Sequence, residues 1–192
     1  GFEYSGKSTQ IKLLKKYFKK NNIKSTFTRE PGGNKNLEKI RNVILKSNFD
    51  NLSLIMFFFA SRFALLSSIK KNDFIVFDRF FDSTYAYQKY NSKEKKLIIS
   101  LIKLIDKKFI PKVTFYLKLD KKNLVRRKNK RLYSNKFDKK YFGQFSRIQK
   151  NYEEISKIKI GERKFVAIDA SLSANEVHDK IILNLKKCKL IK

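Results

Sequence analysis

The chain opens on Gly1-Phe2-Glu3-Tyr4-Ser5-Gly6-Lys7-Ser8-Thr9, the spacing G-x-x-x-x-G-K-S. Each residue type in that pattern suits a polyphosphate. Glycines let backbone N–H groups turn inward onto phosphate oxygens, the Lys7 ammonium reaches the β- and γ-phosphates, and the Ser8 hydroxyl can ligate Mg²⁺. Gln10 to Lys20 reads as a helix whose N-terminus points at the phosphates and adds partial positive charge there. The chemistry implied is binding of a nucleoside triphosphate with Mg²⁺.

A second set of groups follows a buried strand. Phe74-Ile75-Val76-Phe77 is a continuous apolar run ending on Asp78-Arg79, and the carboxyl ends of such strands face the crevice where α/β sheets bind ligands. Asp78 is placed to hold Mg²⁺ directly or through its waters, and the Arg79 guanidinium to clamp a second phosphate. Arg29, Arg41 and Arg62 stand out in a chain that otherwise prefers lysine, and bidentate anion recognition is where arginine outperforms lysine. Arg126, Arg127 and Arg131 lie in a basic, turn-rich passage suited to a lid over phosphates.

These groups need a scaffold. At 192 residues the chain suits one domain, residues 1–192, with a core large enough to stand alone. Lys+Arg of 46 against Asp+Glu of 17 gives a formal charge of +29, spread over nearly every expected helix and loop. With Asn, Ile and Phe also abundant, this reads first as A/T-rich codon usage and solvated faces and second as a general affinity for anions, phosphorylated substrates included, with nucleic acid bound at most non-specifically. A single cysteine, Cys188, excludes an intramolecular disulfide and a cysteine-based zinc site and suits a reducing cytoplasm. The lone histidine, His178, reads as a surface or packing residue. The apolar run Leu54 to Leu66 is interrupted by Ser61 and Arg62 and reads as too short to span a membrane.

In order, the elements expected are a strand at Ser25–Thr28, a turn at Arg29-Glu30-Pro31-Gly32-Gly33, and helices at Asn36–Lys46 and Leu52–Ile69. The Phe74 strand is followed by helices at Phe81–Gln88 and Ser92–Lys108 and a strand at Val113–Leu117. A helix at Lys121–Lys130 is capped by Asp120. A helix at Asp138–Ile158, a strand at Lys164–Ile168 and a helix at Ala174–Leu185 complete the chain. Strands alternating with helices imply an α/β fold with a parallel sheet and right-handed crossovers. A phosphate loop ordinarily follows a buried strand, so a natural product longer at its N-terminus by about five or six residues is expected.

Four segments together, Gly1–Thr9, Thr28-Arg29-Glu30-Pro31-Gly32-Gly33, Phe58-Phe59-Ala60-Ser61-Arg62 and Asp78-Arg79-Phe80-Phe81-Asp82-Ser83-Thr84-Tyr85-Ala86-Tyr87-Gln88, resemble thymidylate kinases in order and spacing. A weaker similarity reaches Ile168-Asp169-Ala170. The resemblance implies a three-layer, P-loop nucleoside monophosphate kinase fold, here lacking the first strand of its central parallel sheet. It implies ATP and Mg²⁺ as cofactors, dTMP as acceptor, dTDP as product, and a homodimer. Glu3 matches the acid near the deoxyribose 3′-hydroxyl, Phe58 the aromatic on thymine, and Arg62 the group on the base edge. Arg79 matches the arginine on the monophosphate, with Arg29 and Arg41 supporting it. Ser83, Thr84, Tyr87 and Gln88 match the helix that reads the base and excludes a ribose 2′-hydroxyl.

The lid departs from the family pattern. Where bacterial relatives carry Asp-Arg-Phe/Ile-Glu, this chain has Asn135-Lys136-Phe137-Asp138, and Tyr4 takes the alternative arginine position in the phosphate loop. Assistance to transfer is therefore expected from Arg126, Arg127, Arg131 or Lys136, in a lid at about 126–138. Rival readings are a P-loop kinase for another nucleoside or monophosphate, a nucleic-acid-binding ATPase, and an inactive remnant.

Overall fold

A computed structural model describes residues 1–69, 74–129 and 141–192. Residues 130–140, with Arg131, Lys136 and most of the expected lid, lie outside the described residues.

Helix α1 (Lys7–Lys20) starts immediately after Gly6, whose φ of 87° is accessible to glycine at little cost. It buries Leu14 and Phe18 and ends on Lys19 and Lys20, which suit the negative end of the helix dipole. Strand β1 (Ser25–Arg29) leads through the Pro31-Gly32-Gly33 turn into α2 (Lys35–Lys46), capped by the Asn34 side chain, and α3 (Asn51–Ser68), capped by Asp50. Strand β2 (Phe74–Asp78) pairs in parallel with β1, Ser25 opposite Phe74 and Arg29 opposite Asp78. Helix α4 (Phe81–Gln88) follows at once, then α5 (Ser92–Lys103), opened by an Asn91/Glu94 capping box. Strand β3 (Val113–Lys118), α6 (Lys121–Asn129), α7 (Phe145–Lys157), β4 (Lys164–Asp169) and α8 (Ala174–Lys187) complete the order, with β3 and β4 parallel.

Two expectations need adjustment. The helix foreseen over Ser92–Lys108 stops at Lys103, and a separate 3₁₀ turn covers Lys107–Phe109, with Asp106 accepting from the Lys108 N–H. Of the helix foreseen over Asp138–Ile158, Tyr141 and Phe142 are helical, a turn at Gly143 and Gln144 interrupts it, and the regular helix runs Phe145–Lys157. Asp120 caps α6 as expected, its carboxylate 2.7 Å from the Asn123 nitrogen.

The strands form two parallel pairs, β1–β2 and β3–β4, and among the described residues no strand joins β2 to β3. Between them lies an open cavity of about 610 Å³, walled by Phe74–Phe77 and Val113–Leu117 and floored by Leu14 and Phe18 of α1. Gly1, Lys7, Asp78 and Arg79 also line it. On one side of the sheet Phe18, Ile181 and Leu185 join a core with Tyr116 and Leu117. On the other, Ile55, Phe59, Phe81, Ile98 and Ile102 form a second core. Helix α7 serves both, through Ile148 in the first and Ile155 in the second.

By length and composition α3 is sufficient to cross a membrane, at 18 residues and mean hydropathy 1.4, a longer run than the sequence suggests. Its Leu54, Ile55, Phe59, Leu65 and Leu66 are buried in the protein, and Arg62, within the same helix, is ion-paired inside it.

Candidate active site

The phosphate loop is built by backbone geometry. Tyr4 and Gly6 both take left-handed φ, 63° and 87°, turning the chain around the head of α1. The Ser5 hydroxyl and the Lys7 ammonium both donate to the Phe2 carbonyl, at 2.8 and 2.7 Å. No side chain caps α1 and no acid stands in its first turn, so the positive end of its dipole suits an anion. Phe2 is itself core, stacked on Tyr87 and edge-on to Phe145. Arg127 reaches the loop from α6, donating to the Tyr4 carbonyl at 3.2 Å and to the Ala170 carbonyl at 2.5 Å.

Arg79 stands where β2 ends, with a left-handed φ of 70°, an uncommon conformation for a residue with a side chain. Its guanidinium pairs with the Glu3 carboxylate, whose other oxygen accepts from the Tyr87 hydroxyl at 2.5 Å. Burial works against ionisation of Glu3, but Arg79, Lys7 and the Tyr87 hydroxyl outweigh it and hold the carboxyl below the usual glutamate range. Burial beside Glu3 pushes the Tyr87 phenol well up, so it donates as a neutral hydroxyl. Lys7 and Arg79 act on the same carboxylate, that of Glu3, which brings the phosphate loop and the end of β2 together.

Behind Arg79 lies a smaller pocket of about 80 Å³. Its walls are Glu3, Glu30, Pro31, Arg41, Leu45, Phe58, Arg62, Arg79, Phe80, Ser83, Thr84, Tyr87 and Gln88. Arg62 is 2% exposed; it pairs with Glu30 at 2.7 Å and donates to the Thr84 hydroxyl at 3.0 Å. Burial nonetheless pushes the Glu30 carboxyl up, Arg62 only partly offsetting it. Arg62 Nη1 and Glu30 Oε1 are buried without a hydrogen-bond partner, and such atoms mark a place for a polar ligand edge. Gln88 donates to the Tyr141 hydroxyl at 3.1 Å, and Ser83 bonds the Tyr152 hydroxyl at 3.1 Å.

The expected residues fall into groups. Glu3, Arg41, Phe58, Arg62, Arg79, Ser83, Thr84, Tyr87 and Gln88 converge on the smaller pocket. Arg41 also donates to the Pro31 carbonyl at 2.7 Å. Arg29 is not in that lining: it is 55% exposed and held by Glu38 at 2.7 and 3.0 Å. Arg126 is exposed. Sequence reasoning missed Glu30, Tyr141, Tyr152 and Arg147. The scarcity of arginine in this chain, used to single out Arg62, would have flagged Arg147 as well.

For Mg²⁺ the donor set fits an ion carried mainly by phosphates. Among the described residues no cluster of three or more His, Cys, Asp or Glu could hold a metal, whereas Ser8 stands exposed at the loop and Asp78 lines the cavity. One hydroxyl and one carboxylate alongside nucleotide oxygens is the usual protein share for this ion.

A profile of the family described as thymidylate kinase matches residues 1–181. The thymidylate kinase of Wolbachia pipientis (subsp. Culex pipiens, strain wPip) is 35% identical over 200 residues, covering 98% of this chain and 94% of the relative. That of Chlorobium limicola is 33% identical, covering 97% and 92%. The crystal structure of thymidylate kinase from Ehrlichia chaffeensis superposes with a TM-score of 0.73 at 28% identity, over 97% of this chain and 95% of that one. A family profile over residues 1–181 and relatives 33–35% identical over nearly the whole chain, joined to the phosphate loop and the arginine at the end of β2 described above, show that the chain belongs to the thymidylate kinase family.

Proposed function

We propose that this chain transfers the γ-phosphoryl group of ATP to dTMP, giving ADP and dTDP for deoxynucleotide biosynthesis. A phosphate oxygen of dTMP attacks the γ-phosphorus, the bond from that phosphorus to the β–γ bridging oxygen breaks, and the electron pair leaves with ADP. Such a transfer needs alignment and charge stabilisation more than acid–base chemistry. The observation carrying the reading is the polar, partly unsatisfied pocket in which Glu3, Arg62, Arg79, Thr84 and Tyr87 meet, with Lys7 of the phosphate loop and Arg79 both acting on the Glu3 carboxylate.

In this reading the loop N–H groups and Lys7 hold the β- and γ-phosphates of ATP, and Arg79, supported by Arg41, holds the acceptor phosphate, while Arg29, engaged by Glu38, stands outside that grip. Mg²⁺, held by Ser8 and Asp78 with the phosphates, would neutralise charge on the transferring group. Phe58 stacks on thymine, and Arg62, with an unpartnered buried N–H, donates to the base edge. Thr84 and Gln88 complete the base contacts beside Ser83. Tyr87 takes the space a 2′-hydroxyl would need, and Glu3 accepts from the 3′-hydroxyl. Arg127, with Arg126, Arg131 and Lys136, supplies the cation that assists transfer. The protein acts in the cytoplasm as a homodimer, for which Ile40, Val43, Leu52, Met56 and Phe57, exposed on the adjoining α2 and α3, provide an apolar face.

A coupled assay of ADP release with dTMP, dUMP, dCMP, dGMP and thymidine tests this. The expected result is fastest turnover with dTMP and none with thymidine, which lacks the acceptor phosphate. Preference for another monophosphate, or ADP release independent of any acceptor, would overturn it.

A further inference from the structure

Helix α4 is eight residues long, yet it carries Ser83, Thr84, Tyr87 and Gln88. A helix this short has little intrinsic stability, and its last carbonyls have no partners of their own. Here every one of them is taken by a side chain from elsewhere. The Ala86 carbonyl accepts from Asn151 at 3.0 Å and the Tyr87 carbonyl from Arg147 at 3.0 Å. The Gln88 carbonyl accepts from Asn51 at 2.7 Å. The Lys89 carbonyl accepts from both Arg147 and Asn151, each at 2.8 Å. Arg147 is fixed in turn by the Gln144 side chain at 2.5 Å and by the Tyr90 ring, 3.8 Å from its guanidinium carbon. Its positive charge stands at the negative end of α4.

Asn51 is the first residue of α3, which carries Phe58 and Arg62, while Arg147 and Asn151 belong to α7. The clamp thus joins both walls of the smaller pocket at one end. Tyr87 hangs from the clamped turn, and its hydroxyl is the group that meets Glu3. A shift of that turn by a fraction of an ångström carries the hydroxyl with it.

We propose that Arg147, seconded by Asn151, is a positioning residue for the acceptor nucleotide. By holding the C-terminal carbonyls of α4 it sets the height of Tyr87, and with it both acceptor affinity and the preference for a deoxyribose. This rests on the dTMP reading above. Arg147 touches no substrate.

The test compares wild type with Arg147→Gln, Arg147→Lys and Glu154→Gln. The last cuts the Lys89–Glu154 bridge between α4 and α7 and spares the clamp. For Arg147→Gln the expected result is a KM for dTMP raised about 10-fold or more, with kcat and the KM for ATP within about twofold, since only acceptor placement changes. Its preference for dTMP over the ribose counterpart should fall about as far. Arg147→Lys keeps the charge but not the fork and falls between; Glu154→Gln matches wild type in all three constants. Hydrogen exchange at the α4 amides, which needs no substrate, should quicken in Arg147→Gln. Wild-type KM and sugar preference in a folded Arg147 variant would overturn the proposal, as would an equal fall in kcat alone. If Arg147→Gln does not fold, Arg147→Lys decides on the same constants. A wild-type chain inactive on dTMP would remove the functional reading instead, and unchanged α4 exchange would then dispose of the clamp.

Discussion

Arg62 and Glu30 form the buried ion pair on which the base pocket rests, and each leaves one polar atom unsatisfied. Replacing one partner strands the other charge in a poorly hydrated site, a loss of about 3–5 kcal/mol. Arg62→Met should therefore lower the urea midpoint sharply, and adding Glu30→Gln should restore much of it. A double variant no better than the single one would mean that the arginine's packing on Phe59 and Phe80, rather than charge, is what matters. Lys7→Ala should cut turnover by about 10²–10³-fold, the typical effect of removing a transition-state donor, with the fold intact by circular dichroism. Residues of this kind were readable in the sequence because their types are unusual where they occur: a lysine after a glycine turn, an arginine after an apolar strand. Glu30 was in view within its turn but carried no sign of burial, which is set by α3 and α4 closing over it. The contact of Arg29 with Glu38 was equally hidden, since it depends on how α2 leaves the turn.

Among the elements, α4 was located to the residue, because Phe80 and Lys89 bound a compact pattern; what holds it came from α7, more than fifty residues later, and no local pattern reveals that. The same helix pair governs the acid response. Glu154, bonded to Lys89 and Lys95 at 2.7 Å, has its carboxyl held down to about 2 against an ordinary 4.5, burial opposing the two ammonium groups and losing. A carboxyl lowered in the fold stabilises it while ionised. That contribution is complete above about pH 4.5 and lost as pH falls toward 2, so Glu154→Gln should lower the neutral plateau of a stability–pH curve measured by denaturant and flatten its acid limb, the two proteins converging toward pH 2. The cavity between β2 and β3 makes another prediction. Fusing a five- or six-residue apolar strand sequence ahead of Gly1 should raise Tm. Each fully buried apolar side chain contributes about 1.5–3 kcal/mol before entropy, and each net kcal/mol adds about 2–4 °C in a chain of this size. Equal Tm with and without the added segment would show that the space is not shaped for a strand.

At the scale of the whole molecule, a charge of +29 meets an apolar face on α2 and α3. If that face is the dimer contact, Val43→Glu with Met56→Glu should convert the sedimenting species from dimer to monomer, since carboxylates buried at a contact are strongly unfavourable. An unchanged sedimentation coefficient would place the contact elsewhere. The α/β organisation followed from the alternation of strands and helices, whereas the distribution of that charge over the folded surface did not.

A charge of +29 has a consequence for handling the protein. Phosphate-rich polymers from a lysate cling to such a surface by charge alone, and dissolved ions weaken that hold over about 8–10 Å. Absorbance at 260 nm should therefore fall as sodium chloride is raised during washing, and absorbance that survives high salt would mean a tighter grip than charge alone provides.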